Sequence, residues 1–415
     1  MTSDQSPPPG WRLHRLGDVA EIFDGPHATP KKTSAGPVFL GISSLTNGRL
    51  DLADLEHLSE EDFIRWTRRI TPREGDVVFS YETRLGEAAA IPSGLRCCLG
   101  RRMGLLRPRD QIVRPRFLLY AYLGPQFQET IRERTIHGST VDRIPLKEMG
   151  TFPIALPPLD EQERIESILA ALDARYEHNH ALGARELHVA HHIFRSMFGG
   201  RIEGDDQLGN HVTVTRGRSY KSSELTGDDR ALVTLKSVRA GGGYNPDGLK
   251  PYLGDYRPPQ VVQPGELVVA HTDLTQAAAV IGKPAIVPDT GSFSELVASL
   301  DLAIVRPSGL SVSIPFLYFL FLEPSFQQHA YGYANGSTVL HLAKEAVGSF
   351  PFVAPDRERH SMFGALATPL LNHRDALIRE ARGLAKIRDV LLPALMLGQL
   401  GDDRSAALLY TTAAG

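Results

Sequence analysis

The two halves of this chain carry the same series of short motifs in the same order, and that duplication constrains its fold more than any other feature. Leu16-Gly17-Asp18-Val19-Ala20-Glu21-Ile22 opens the first half, and Leu208-Gly209-Asn210-His211-Val212-Thr213-Val214 opens the second, 192 positions on. Pro72-Arg73-Glu74-Gly75-Asp76-Val77-Val78 returns as Gln263-Pro264-Gly265-Glu266-Leu267-Val268, near 190. Phe117-Leu118-Leu119-Tyr120 returns as Phe316-Leu317-Tyr318-Phe319, and Gly124-Pro125-Gln126-Phe127-Gln128 as Glu323-Pro324-Ser325-Phe326-Gln327, both at 199. His137-Gly138-Ser139-Thr140-Val141 and Phe152-Pro153-Ile154 return at 198. Chance matches do not stay in order while the offset drifts by only a few residues. Two similar units in one chain imply a pseudo-two-fold internal repeat, and 415 residues exceed what one ordinary core holds.

Each unit follows one plan. A globular segment comes first, with short apolar runs broken by Gly and Pro: 37–42, 76–80, 267–270 and 303–305. These read as strands. Segments 115–133 and 314–331 read as helices started by Pro115 and Pro315. A long helix then follows. In the first unit Pro157-Pro158 stops the extended chain, and Asp160 with Glu163 forms a capping-box pattern. Ile165, Ile168, Leu169, Leu172 and Tyr176 recur at helical spacing, with Gly183 as a candidate break. The second helix spans about 356–397, where Pro369 and Pro393 are expected to kink or divide it. Both apolar stripes are one-sided, so each helix needs a partner, and the other repeat's helix in antiparallel packing is the simplest. The expected fold class is mixed α/β: two domains of short strands and helices joined by two long antiparallel helices. The expected boundaries are a disordered tail 1–10, a domain 11–156, a helix 157–200, a domain 201–354, a helix 355–400 and a tail 401–415.

Several function classes lack the residues they need. No Gly-x-Gly-x-x-Gly follows a strand, and there is no Walker-type phosphate loop. Asn245-Pro246-Asp247 lacks the second proline and the aromatic of an adenine-methyltransferase motif, and reads as a turn. Cys97 and Cys98 are adjacent, which suits neither a disulfide nor zinc spacing, and points to a reduced, cytoplasmic setting. His188, His191 and His192 share a helix without an acidic third ligand nearby, so no metal site is expected. No apolar run is long enough to span a membrane.

The chain resembles the specificity subunit of type I restriction-modification complexes. The resemblance rests on Gly138-Ser139-Thr140, then Pro153-Ile154 and Leu156-Pro157-Pro158-Leu159-Asp160-Glu161-Gln162 leading into the long helix. Leu391-Leu392-Pro393-Ala394-Leu395-Met396-Leu397-Gly398 and the loop Asp24-Gly25-Pro26-His27-Ala28-Thr29-Pro30 add to it. The second repeat departs from it, with Ala354-Pro355-Asp356-Arg357-Glu358-Arg359 in place of the Pro-Pro-Leu-Asp-Glu-Gln run. The resemblance implies a non-catalytic reader of double-stranded DNA. Two target-recognition domains would each read half of a split, asymmetric site, and the helices would set the spacer. Two methyltransferase subunits would dock, and motor-nuclease subunits can join them. S-adenosylmethionine, ATP and Mg are expected on those partners, and no cofactor on this chain.

Reading DNA needs donors and acceptors on loops or helix ends that enter a groove. In the first unit the candidates are His27, Thr29, Lys31 and Lys32 on one loop, and Tyr81, Thr83 and Arg84 after a strand. Arg65, Arg68, Arg69, Arg101 and Arg102 are candidates for phosphate contacts, which position without specifying. In the second unit Arg218, Tyr220, Lys221, Lys236, His271, Asp273 and Thr275 occupy matching places. Ser139, Thr140, Ser337 and Thr338 are either phosphate donors or helix caps. The expected docking residues for partner subunits are Leu159, Glu161, Gln162, Leu391 and Leu392. Charge cuts against a free-standing DNA binder. The chain carries a net −3; residues 1–150 hold 21 basic against 19 acidic residues, and residues 201–350 hold 12 against 15. The alternative is therefore an orphan or regulatory defence scaffold that uses the same fold to bind protein. A stand-alone methyltransferase is disfavoured by the missing cofactor loop.

Overall fold

The computed structural model describes residues 7–26, 30–52, 55–138, 141–199, 204–274, 278–291, 293–336 and 339–399. The chain divides into two compact units. Unit 1 comprises Met1–His178 with Glu380–Gly415, and unit 2 comprises Asn179–Arg379.

In unit 1 the strands of the two larger sheets are β1 (Ala20–Asp24), β2 (Lys32–Leu40), β3 (Glu56–Leu58), β4 (Val77–Ser80), β5 (Ala88–Ala90), β6 (Cys97–Leu99) and β7 (Met103–Pro108). An antiparallel sheet has the order β1-β7-β4-β5. A second sheet has the order β3-β2-β6, with β2 and β6 parallel. Its longer helices include α1 (Pro115–Leu123), α2 (Pro125–Arg134) and the first half of α3 (Leu159–Phe198). The expected single helix 115–133 is thus two. Gly124 takes an extended ψ of 151° because it precedes Pro125, whose ring disfavours a helical residue before it. From Phe117 to Tyr122 every residue of α1 is buried. Gly104 on β7 lies over the Phe79 ring, and a Cβ there would come within 2.4 Å of it.

Unit 2 repeats this plan with β8 (Val212–Arg216), β9 (Arg230–Val233), β10 (Leu267–Ala270), β11 (Pro284–Ile286), β12 (Glu295–Ala298) and β13 (Leu302–Pro307). The order β8-β13-β10-β11 reproduces the first sheet of unit 1, and β9 pairs in parallel with β12 as β2 does with β6. The register repeats as well. Asp24 faces Gly104 in unit 1, and Arg216 faces Ala303 in unit 2. Where Gly104 makes room for Phe79, Ala303 faces the smaller Val269. Helices α4 (Ile314–Leu322) and α5 (Pro324–Gly332) are again split before a proline, at Glu323.

The last helix, α6, runs unbroken over Arg357–Met396, so Pro369 and Pro393 do not divide it. Gly183 does not interrupt α3 either. Its missing side chain suits a close approach, since a Cβ there would stand 3.4 Å from Arg374 Cγ. Asp160 lies inside the first turn of α3 rather than capping it. Each unit buries half of each long helix. In unit 1, Ile165 and Leu169 of α3 join Leu391, Leu392, Leu395 and Met396 of α6 in one core with α1. In unit 2, Ala190, Phe194 and Phe198 join Phe363, Ala367 and Leu371. There the partners run in opposite directions: Asn179 reaches the Leu377 carbonyl, Glu186 pairs with His373, and Phe194 packs edge-on to Phe363.

Candidate nucleic-acid interface

In unit 1, β1, β4 and β7 converge at one sheet end. Gly25, directly after β1, donates to the Met103 carbonyl at 2.9 Å, and a Cβ there would lie 2.4 Å from that oxygen. Tyr81, directly after β4, donates its backbone N–H to the Arg102 carbonyl at 3.1 Å and accepts from Ile144 at 2.9 Å. Thr83 and Arg102 both sit in the left-handed region, at φ 67° and 72°. For residues with a Cβ that conformation costs about 1–2 kcal/mol each. Such strain persists only where the surroundings impose it, and it collects at functional sites. Arg102 Nε pairs with Glu82 Oε2 at 2.9 Å, both side chains partly exposed, and its Nη1 stands 3.5 Å from Thr83 Oγ1. Glu82 in turn bridges the backbone of Arg143, an exposed residue.

The remaining candidates of unit 1 fall into three groups. Lys31, Lys32, Arg65, Arg68, Arg69 and Arg101 are exposed, as phosphate contacts need to be. Lys32 is already paired with Glu56, and Arg65 lies over the Trp66 ring at 5.0 Å. Arg84 is half-buried and holds the Ile42 carbonyl and Glu87, both at 3.3 Å, so it fastens a loop. Tyr81 is buried, and its hydroxyl bonds Asp24; burial and then the Asp24 charge raise its pKa. A buried ring offers no stacking face. His27, Thr29, Ser139, Thr140, Thr275, Ser337 and Thr338 lie outside the described residues.

Unit 2 buries two more of the candidates. His271 is fully buried, and among the described residues neither ring nitrogen has a hydrogen-bond partner. Burial, and then the Arg216 charge, push its pKa down to about 4 from 6.5, so it is neutral at physiological pH. Asp273 is buried too, accepting from the backbone of Val280 at 2.6 Å and Ile281 at 3.2 Å. It fixes a loop rather than facing a groove. Lys221 and Lys236 are exposed. Tyr220 packs against the Leu232–Tyr252–Val297 cluster, and the Arg218 guanidinium bonds the Tyr252 side chain.

Three of the five expected docking residues are spent inside unit 1. Gln162 is buried, accepting from Arg114 N–H at 2.9 Å and donating to the Ile112 and Pro157 carbonyls. Leu391 and Leu392 belong to the core. Leu159 is 44% exposed, and Glu161 is half-exposed and paired with Arg164. His191 bonds Glu323, and no metal-binding group of His, Cys, Asp and Glu occurs among the described residues. No helix among them is long and apolar enough to cross a membrane. Arg143, Arg216, Leu300 and Asp301 stand at the same sheet ends, where only the strand pairing of the folded units brings them.

The same sheet order, with a polar sheet end, occurs once in each unit and defines a duplicated α/β scaffold. Residues 8–184 match the family model of the type I restriction modification DNA specificity domain. A protein assigned as the type I restriction enzyme MjaX specificity subunit of Methanocaldococcus jannaschii is 28% identical over 177 residues, 40% of each chain. The match thus spans about 40% of that relative's length. The crystal structure of the type I restriction-modification S subunit from M. genitalium shares the fold, with a TM-score of 0.54 at 14% identity, covering 95% of this chain and 98% of that one. Over residues 8–184 the chain is therefore similar to the type I restriction modification DNA specificity domain.

Proposed function

We propose that this chain is the non-catalytic DNA-recognition subunit of a type I restriction-modification complex. Each recognition domain, 11–156 and 201–354, reads one half of a bipartite, asymmetric site in double-stranded DNA. The helices over 157–200 and 355–400 set the spacer between the halves. Two methyltransferase subunits dock on the chain and methylate adenine with S-adenosylmethionine. Motor-nuclease subunits join with ATP and Mg, and the setting is cytoplasmic. The observation that carries this reading is that one sheet architecture occurs twice with different side chains at the same end. A single fold that reads two different sequences needs that combination.

Methylated-base sequencing of cells co-expressing the chain with its methyltransferase tests it. The expected result is a split motif that disappears without the chain, and in which replacing residues 11–150 changes one half only. A motif unaffected by the chain, or changed in both halves by the replacement, would contradict it. The net −3 of residues 201–350 favours the second reading, a defence scaffold that binds protein. A footprint of the full complex without DNA protection would support that reading instead.

A further inference from the structure

The duplication allows side chains at equivalent backbone stations to be compared. Tyr81 N–H meets the Arg102 carbonyl at 3.1 Å, and His271 N–H meets the Asp301 carbonyl at 2.7 Å. Ile144 N–H meets the Tyr81 carbonyl at 2.9 Å, and Leu342 N–H meets that of His271 at 2.8 Å. Ser80 faces Met103, and Ala270 faces Leu302. The pairing makes Arg101-Arg102 equivalent to Leu300-Asp301, and Asp24 equivalent to Arg216. Around these stations the framework stays apolar: Val78-Phe79 answers Val268-Val269, and Leu105-Leu106 answers Ile304-Val305. At the stations the charge reverses. Unit 1 has an acid on the strand before the turn and an arginine on the turn, and unit 2 has an arginine and then an acid.

The geometry points to the turns 100–103 and 299–302 as the specificity-setting stations of the two units, with Arg102 reading a guanine edge and Asp301 accepting from a cytosine amino group. This rests on the DNA-recognition reading above and deepens it. Guanine presents two acceptors in the major groove, which suit a forked donor, and cytosine presents an amino donor, which suits a carboxylate. Arg102 is built as a fork rather than a loose cation. Glu82 Oε2 lies 2.9 Å from Nε and Thr83 Oγ1 3.5 Å from Nη1, which leaves Nη2 and the second Nη1 proton for the base, and both Arg102 and Thr83 are held in left-handed backbone to aim it. A phosphate contact requires charge, not aim. Beside Asp301, Leu300 is 40% exposed, where unit 1 has Arg101, so the second turn is also less suited to a phosphate.

The test uses the assembled complex with its methyltransferase on a library of randomised sites, read by methylated-base sequencing. Arg102→Lys keeps the charge but loses the fork, and Arg102→Gln loses both. Both variants are expected to relax the same single position of one half-site about tenfold or more. Asp301→Asn is expected to change one position of the other half-site and leave the first half intact. If Arg102→Lys keeps the wild-type preference and only Arg102→Gln lowers methylation evenly across sequences, Arg102 is a phosphate contact and the proposal falls. It falls equally if Asp301→Asn leaves the motif unchanged. Failure of the underlying reading looks different: the unsubstituted chain would then impose no motif at all.

Discussion

At the scale of single residues, Tyr81 and His271 show how one backbone station serves two chemistries. Both are buried directly after a strand, one beside Asp24 and the other beside Arg216. For His271 the consequence is a pH dependence. Its folded pKa of about 4 lies below the unfolded value of 6.5, so between these limits the unfolded chain binds the proton first. Stability is therefore full above pH 6.5, falls through the window down to about pH 4, and is level below it with respect to this group. At 1.36 kcal/mol per unit the loss is about 3 kcal/mol. Urea midpoints for unit 2 between pH 7 and 4 are expected to drop in the wild type and to flatten in His271→Leu. An identical slope in both proteins would exclude His271 as the source. The sequence placed both residues correctly at a strand end but could not tell that they point inward. That orientation is set by pairing with Ile144 and Leu342, some 60–70 residues further on in the sequence, which no local pattern reports.

At the scale of elements, the long helices are held by polar groups as well as by their apolar stripes. Asp173 on α3 accepts from Arg49 at 2.6 Å and Tyr120 at 2.9 Å, and Arg388 of α6 stands 3.5 Å away. Arg388 also donates to the Asn47 carbonyl at 2.6 Å, and Arg49 lies over the Tyr176 ring at 3.9 Å. Asn47 and Arg49 belong to the turn Leu45–Leu50, so one carboxylate ties a hairpin and α1 to both helices of unit 1. Removing one partner of a buried ion pair costs about 3–5 kcal/mol, because the remaining charge stays buried. Asp173→Ala is expected to lose that much in denaturant unfolding, since Arg388 is only 2% exposed. A loss below about 1 kcal/mol would mean that water reaches the guanidinium. The helices themselves were legible, because the 3.6-residue stripe survives in any context. The cluster was not: its four charged and polar members come from four separated stretches. Proline was misread in both directions. Pro125 and Pro324 start new helices inside segments read as single ones, while Pro369 and Pro393 sit within a continuous α6 whose packing overrides the lost hydrogen bonds.

At the scale of the whole chain, the decisive quantity is charge. Binding to duplex DNA draws most of its affinity from phosphate neutralisation, and log K falls with log salt at about 0.9 per phosphate contact. A chain of net −3, with 201–350 itself at −3, offers no net positive charge to that role. Several of those present are committed elsewhere: Arg107 to Asp76, Arg306 to Glu266, Arg49 and Arg388 to Asp173. Exposed cations such as Lys31, Arg68, Arg69 and Arg101 lie mostly in unit 1. On the proposed function, the sequence-specific part of recognition lies with a few aimed side chains of this chain, and the phosphate part with its partners. On the proposed function, the isolated chain binds DNA at a Kd of roughly 10⁻⁴–10⁻⁶ M at physiological salt, in the range of non-specific complexes. Adding the methyltransferase subunits is expected to raise affinity by orders of magnitude and to steepen the salt slope. Fluorescence anisotropy titrations of chain and complex across a salt series measure both quantities. Nanomolar binding by the chain alone, with the slope of the complex, would locate the phosphate contacts in this chain and overturn that division of labour.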